Sequence, residues 1–202
     1  PLGAAVGSNQ VVLGGNKGND DLCTASCVES AAHYLGNSTI AGYDLLNAPA
    51  PDSDSQWADL SGRLYRTIRK ADGNHLVVIE APLSNDLGRC SLTDHVLYSV
   101  HNYAGGDNYP SNQPSGTPLW VGEFGAPISD GGAVQFVHSE IRRYDADGVS
   151  LSHFVDREAS GFGLFGSYTA GDFNSPSTAM IPAVPPGFPR RVHPLSALSQ
   201  SS

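Results

Sequence analysis

Short apolar runs alternating with helix-like segments are the feature that most constrains what this chain can fold into. Six such runs, at 11–14, 40–46, 75–79, 96–100, 118–121 and 149–154, are rich in Val, Ile and Leu. Several are apolar almost continuously and not at every second residue, so both faces of those strands should be covered, as in a parallel sheet flanked by helices. Between them, Trp57, Leu60, Leu64 and Ile68 recur at helical spacing while Arg63, Arg66 and Lys70 fall elsewhere, and Ser55 or Asp54 can cap the start. Val134, Val137, Ile141 and Tyr144 repeat that period ahead of Asp147-Gly148, a stop and turn signal. A third helix is expected over 23–35, ending at Gly36-Asn37. The order predicts an α/β fold with about six parallel strands wrapped by helices.

At 202 residues, with 40% apolar and 15% charged residues, the chain can bury one sizeable core. The expected organisation is one domain over 1–181 and an extended or disordered tail over 182–202, where Pro, Ser and Arg accumulate without a period. Twenty acidic against 11 basic residues give a net charge of -9. That sign argues against nucleic acid and anionic membrane as partners and suits a neutral or cationic one such as a carbohydrate. No window approaches the roughly 20 apolar residues of a membrane span, and the N-terminus lacks the order of a secretory signal. The sequence opens on Pro1-Leu2-Gly3 without Met, so a processed or trimmed start is expected.

Cys23, Cys27 and Cys90 are too few and too oddly numbered for a disulfide framework. No second Cys or His pair at ligand spacing accompanies them, so core thiols are expected, with one disulfide open, and no metal. Gly14-Gly15-Asn-Lys-Gly18 lacks the spacing of a phosphate-binding loop and reads as a turn.

Two runs end abruptly in polar residues, Gly and Pro: Ile40-Ala-Gly-Tyr-Asp-Leu-Leu-Asn-Ala-Pro49 and Pro118-Leu-Trp-Val-Gly-Glu-Phe-Gly125. With Asn74-His-Leu-Val-Val-Ile-Glu80 and Ser99-Val-His-Asn-Tyr103 between them, in that order, the chain resembles family 5 glycoside hydrolases, the cellulase-type retaining β-glycosidases. The resemblance implies a partial TIM-type (β/α) barrel in which these segments are strands four to seven, 148–156 is strand eight and 11–14 strand three. About ten residues precede Val11, whereas a strand with its crossover helix needs roughly 30, so strands one and two have no counterpart.

Carried over by position, Glu123 matches the catalytic nucleophile, Asn47 the residue that contacts the sugar 2-hydroxyl, and His101 and Tyr103 the active-site pair after strand six. The acid/base position holds Ala48, which has no proton to donate. A retaining mechanism needs two carboxyl groups roughly 5 Å apart. Glu80, Asp52, Asp54 and Asp94 are the other acids near expected strand ends, and none is singled out as a substitute donor. The strand-eight stretch offers Ser152 or His153 where the family carries a sugar-stacking Trp. Without the resemblance, Glu123 reads as a rim carboxylate, His101 and Tyr103 as a hydrogen-bonded rim pair, and Asn47 as a turn residue before Pro49. Trp57 and Trp120 read as core, and Tyr109, Phe162 and Phe165, in Gly- and Pro-rich loops, as better placed to stack on a ligand.

Three functional readings stay open. The first is a retaining β-glycosidase acting on a β-glucan or related polysaccharide, its acid/base removed by design. The second is a natural pseudoenzyme or carbohydrate-binding module. The third is a structural or assembly subunit. The partners expected are an oligo- or polysaccharide and, at the open sheet edge, a second copy or another chain. No cofactor is expected, and the resemblance implies an extracellular location.

Overall fold

The computed structural model describes residues 17–82, 86–105, 109, 113–127, 129–154 and 162. Among the described residues, five strands form one sheet in sequence order: β1 (Gly42–Asp44), β2 (Leu76–Glu80), β3 (Val96–Tyr103), β4 (Leu119–Gly125) and β5 (Ser150–His153). Every neighbouring pair is parallel. Three helices accompany them: α1 (Lys17–Tyr34), α2 (Asp54–Ala71) and α3 (Ala133–Asp147). Among the described residues this is half of a (β/α) barrel, with β1 and β5 outermost. The expected strand at 11–14 and the tail at 182–202 lie outside the described residues.

The core sits between the helices and the outer face of the sheet. Tyr43, Val77, Ile79, Tyr98, Val100, Val121 and Phe124 point there and are buried, because alternate residues of each strand face the same side. Trp57, Leu60, Leu64 and Ile68 of α2 and Val137, Ile141 and Tyr144 of α3 cover them. Val134, expected in that stripe, is exposed. It stands in the first turn of α3, beside Ala133, which takes the buried position.

Two helix starts differ from expectation for local reasons. Ser53, not Asp54 or Ser55, caps α2: it is extended and accepts a hydrogen bond from the Gln56 N–H, while Gln56 Oε1 accepts from the Asp52 N–H at 2.8 Å. That is close to the reciprocal arrangement of a capping box. α1 begins at Lys17, six residues before the expected Cys23. Its extra turns are polar and are held by Asp20, buried and paired with Arg63 of α2 at 2.8 Å. Cys23 is buried, Cys27 and Cys90 half-buried, and all three are free thiols. No described helix is long and apolar enough to cross a membrane.

Below the sheet, where α2 returns to β2, Asp72 is buried and gathers donors. Its Oδ1 accepts from the Asn74 and His75 N–H groups at 2.9 and 3.1 Å, and its Oδ2 from the Tyr43 hydroxyl at 2.8 Å and from the His75 ring. Desolvation disfavours the Asp72 anion, but these hydrogen bonds outweigh it and hold its pKa well below the carboxylate range. The Asn37 carbonyl and then Asp72 raise the pKa of His75.

The signs are opposite. Asp72 contributes stability above its ordinary pKa, and loses it as pH falls toward the depressed folded value. His75 contributes fully below about 6.5, and loses its share as pH rises through the raised folded value. The network therefore stabilises most between about pH 4 and 6.5. Asp72→Ala is expected to cost about 3 kcal/mol in urea unfolding, by orphaning several buried donors, and to flatten that pH dependence.

Candidate active site

The chemistry-bearing residues converge where the strands end, on the concave face opposite the helices. One irregularity puts Glu123 there. Val100 pairs with Val121, yet His101 pairs with Glu123, so Gly122 is an extra residue in β4. With regular pairing Glu123 would oppose Asn102 and point toward the helices, as Phe124 does. The bulge moves it by one position and hence to the other face. A Cβ on Gly122 would lie 2.5 Å from Ser99 Oγ, which explains the glycine at the bulge.

Glu123 meets two side chains of β3. The Tyr103 hydroxyl donates to its Oε2 at 2.5 Å, and His101 Nδ1 lies 3.3 Å from the same oxygen. The other ring nitrogen of His101 faces Glu80 Oε1 at 3.2 Å. Glu80, the last residue of β2, is only 3% exposed, and its Oε2 accepts from the backbone N–H of Ala48 at 2.6 Å. The Asp44 carboxyl, at the end of β1, lies close enough to Glu80 and to the Leu46 N–H for both to act on its charge.

Desolvation by the surrounding strand ends and then the Glu80 charge push the Asp44 pKa up to about 7, although the residue itself is exposed. Burial also disfavours charge on His101, but its hydrogen bond to Glu80 and the charges of Glu80, Glu123 and Asp44 win, so its pKa is raised. The Tyr103 pKa is raised as well, by desolvation and then by Glu123. Tyr103 therefore stays protonated and donates to the carboxylate.

Of the residues selected from sequence, Glu123, His101 and Tyr103 thus form one cluster. Ala48 joins it through its backbone, in a left-handed conformation with φ 46°, unusual for a residue with a side chain. Asn47 stands one residue before, exposed in the bend after β1. Asp52 and Asp54 instead line a cleft of about 380 Å³ between the β1–α2 connection and the segment after β2, with Pro51, Pro82 and Arg89. Neither Glu80 nor Glu123 lines that cleft. Asp94 is exposed at the opposite end of the sheet, before β3 begins.

The aromatic residues divide. Trp57 is core, and its indole donates to the Glu80 carbonyl at 2.7 Å. Trp120, expected in the core, is half-buried on the concave face, its ring beside Gly122 and near His101. Phe162 packs edge-on against Tyr103, while Tyr109 lies tilted against Tyr144 with Arg143 over its ring. Phe165 lies outside the described residues. His153 faces away from the cluster, packed on Phe124, and desolvation lowers its pKa. Among the described residues no group of three or more His, Cys, Asp or Glu is arranged to hold a metal ion.

Sequence reasoning left Glu80 among several acids. Its signal was a charged residue closing the continuous apolar run Leu76-Val-Val-Ile79, the pattern that also marks Glu123.

Similarity to known proteins follows the same segments. A family model described as cellulase, glycosyl hydrolase family 5, matches residues 14–151. Cel5A of Thermotoga maritima, a mutant form in complex with cellobiose, superposes with a TM-score of 0.67 at 18% identity, over 81% of this chain and 62% of that one. Endo-glycoceramidase II from Rhodococcus sp. gives 0.61 at 17% identity, over 75% and 43%. An endoglucanase gives 0.64 at 16% identity, over 81% and 65%. At such identities the likeness is one of fold, a TIM-barrel fold, and the chain spans less than two thirds of the length of each. No curated protein matches the sequence.

The second glycine beside Glu123 yields a direct test of the packing. A Cβ on Gly125 would lie 2.6 Å from the Phe154 carbonyl, a backbone atom that cannot turn aside. Gly125→Ala should lose about 1–3 kcal/mol in urea unfolding by prising β5 from β4. Gly73→Ala, with nothing within 4 Å of its Cβ, should change stability by less than about 0.5 kcal/mol.

Proposed function

Since the chain belongs to glycosyl hydrolase family 5, we propose that its concave face is a cellulase-type site for β-linked glucan or a related polysaccharide, with the nucleophile in place and the acid/base missing. The observation that carries this reading is Glu123, turned onto the concave face by the bulge and held by Tyr103 and His101. In this role one Glu123 oxygen attacks the anomeric carbon, and the leaving oxygen departs with the bonding electron pair. A retaining partner would protonate that oxygen, and Ala48 occupies the position from which it would act. An aryloxide leaves without a proton and a sugar alkoxide does not, so the first step favours activated glycosides. Asn47 is assigned the sugar 2-hydroxyl, and a polymeric substrate places the protein outside the cell. Further strands or a second chain would close the sheet beyond β1 and β5.

A second reading, a carbohydrate-binding or assembly subunit on the same barrel, is favoured by one observation. With Ala48 assigned to the acid/base position, the rest of the cluster still keeps its hydrogen bonds.

A dinitrophenyl 2-deoxy-2-fluoro-β-cellobioside separates the two. The first reading expects one covalent fluoroglycosyl adduct by mass spectrometry, on the peptide carrying Glu123, and none in Glu123→Gln. It also expects Ala48→Glu to raise hydrolysis of an unactivated β-glucan by about 10²–10⁴-fold. Absence of an adduct, with glucan still bound, selects the second reading.

A further inference from the structure

Glu80 has no part in the roles assigned above, yet it touches both halves of the site. Its Oε2 takes the Ala48 N–H and its Oε1 faces His101 Nε2, while its own carbonyl is fixed by the Trp57 indole of α2. The ring of His101 thus lies between two carboxylates, Glu80 on β2 and Glu123 on β4, one at each nitrogen. A neutral imidazole has a single N–H, so one carboxylate would face a lone pair. Only the imidazolium donates to both.

We propose that Glu80 is a positioning residue, a buried carboxylate that fixes the backbone at position 48 and, through His101, sets the charge beside Glu123. The hold on His101 follows from the geometry alone, whereas its effect on Glu123 rests on the glycosidase reading. Among the described residues, Asp44 on β1, Glu80 and Glu123 act on the charge of His101, and the Tyr103 hydroxyl on β3 itself shares Glu123 Oε2 with it. The three carboxyl groups raise its proton affinity when ionised, and burial lowers it. Glu80 makes the direct hydrogen bond at Nε2 and acts most strongly among them. A gap at position 48 does not release it, because the contact there is to the backbone and is independent of the side chain.

Histidine-labelled protein followed by NMR tests this directly. In the native chain the His101 ring should titrate above the ordinary value of about 6.5. In Glu80→Gln, which keeps the shape but has one acceptor oxygen for two donors, the midpoint should fall by at least about one unit, tenfold in proton affinity. The alkaline limb of the Glu123 labelling rate should move down with it, while labelling near pH 5 changes less than about threefold.

A native His101 midpoint at or below 6.5, or one unmoved by Glu80→Gln, overturns the proposal, and the first of these needs no variant. A labelling rate that drops equally at every pH would make Glu80 a packing residue only, and likewise overturns it. If Glu123 never labels while His101 behaves as expected, the glycosidase reading fails and the hold of Glu80 on His101 stands.

Discussion

Everything proposed for this site depends on how β3 pairs with β4. A parallel ladder alternates its side chains strictly, so an acidic residue after an even step along β4 would be driven into the helix-facing core. One extra residue, Gly122, changes the phase after Val121 and delivers Glu123 to the face that carries His101. The same shift leaves Phe124 on the core side, against Tyr144. A side chain at 122 would meet Ser99, and one at 125 would meet the backbone of Phe154, so the two glycines serve the sheet before they serve the carboxylate.

From that pairing a line of polar contacts runs across four strands. Tyr103 and His101 on β3 reach Glu123 on β4, His101 reaches Glu80 on β2, and Glu80 reaches Asp44 on β1 and the backbone of Ala48 beyond it. Buried charges are tolerated when paired and hydrogen-bonded. The imidazole between two carboxylates meets that condition while protonated, which ties the cluster's integrity to its charge state. The site is thus partly independent of the side chain at position 48, because the backbone there is held from β2.

The alternation of strands and helices was legible in the sequence because burial on both faces produces continuous apolar runs. Leu76–Glu80 falls within one residue of its run, whereas Leu119–Gly125 starts within one residue of its run and continues four residues past it. The first strand is shorter than its run: Gly42–Asp44 is paired, while Ile40 and Ala41 precede the ladder. α1 was underestimated because its first turns are polar and depend on the Asp20–Arg63 pair, 43 residues apart, which no local period reveals. Trp120 was read as core because its run is apolar, whereas its side chain lies on the concave face, away from the helices. Glu80 was one acid among four, since what sets it apart is its neighbours on adjacent strands. The tip residues Glu123, His101 and Tyr103 were legible only through order and resemblance, and the bulge that unites them was not legible at all.

The central claim is an asymmetric site, with a nucleophile on β4 and no proton donor at position 48. The most direct measurement is the product formed from an aryl β-glucoside or β-cellobioside by the chain as it stands, with azide added. Azide needs no general base, so it can release a glycosyl-Glu123 intermediate from the face that position 48 leaves open. The account predicts a faster reaction and a β-glycosyl azide, the configuration retained. An α-glycosyl azide, or a rate indifferent to azide, would contradict it.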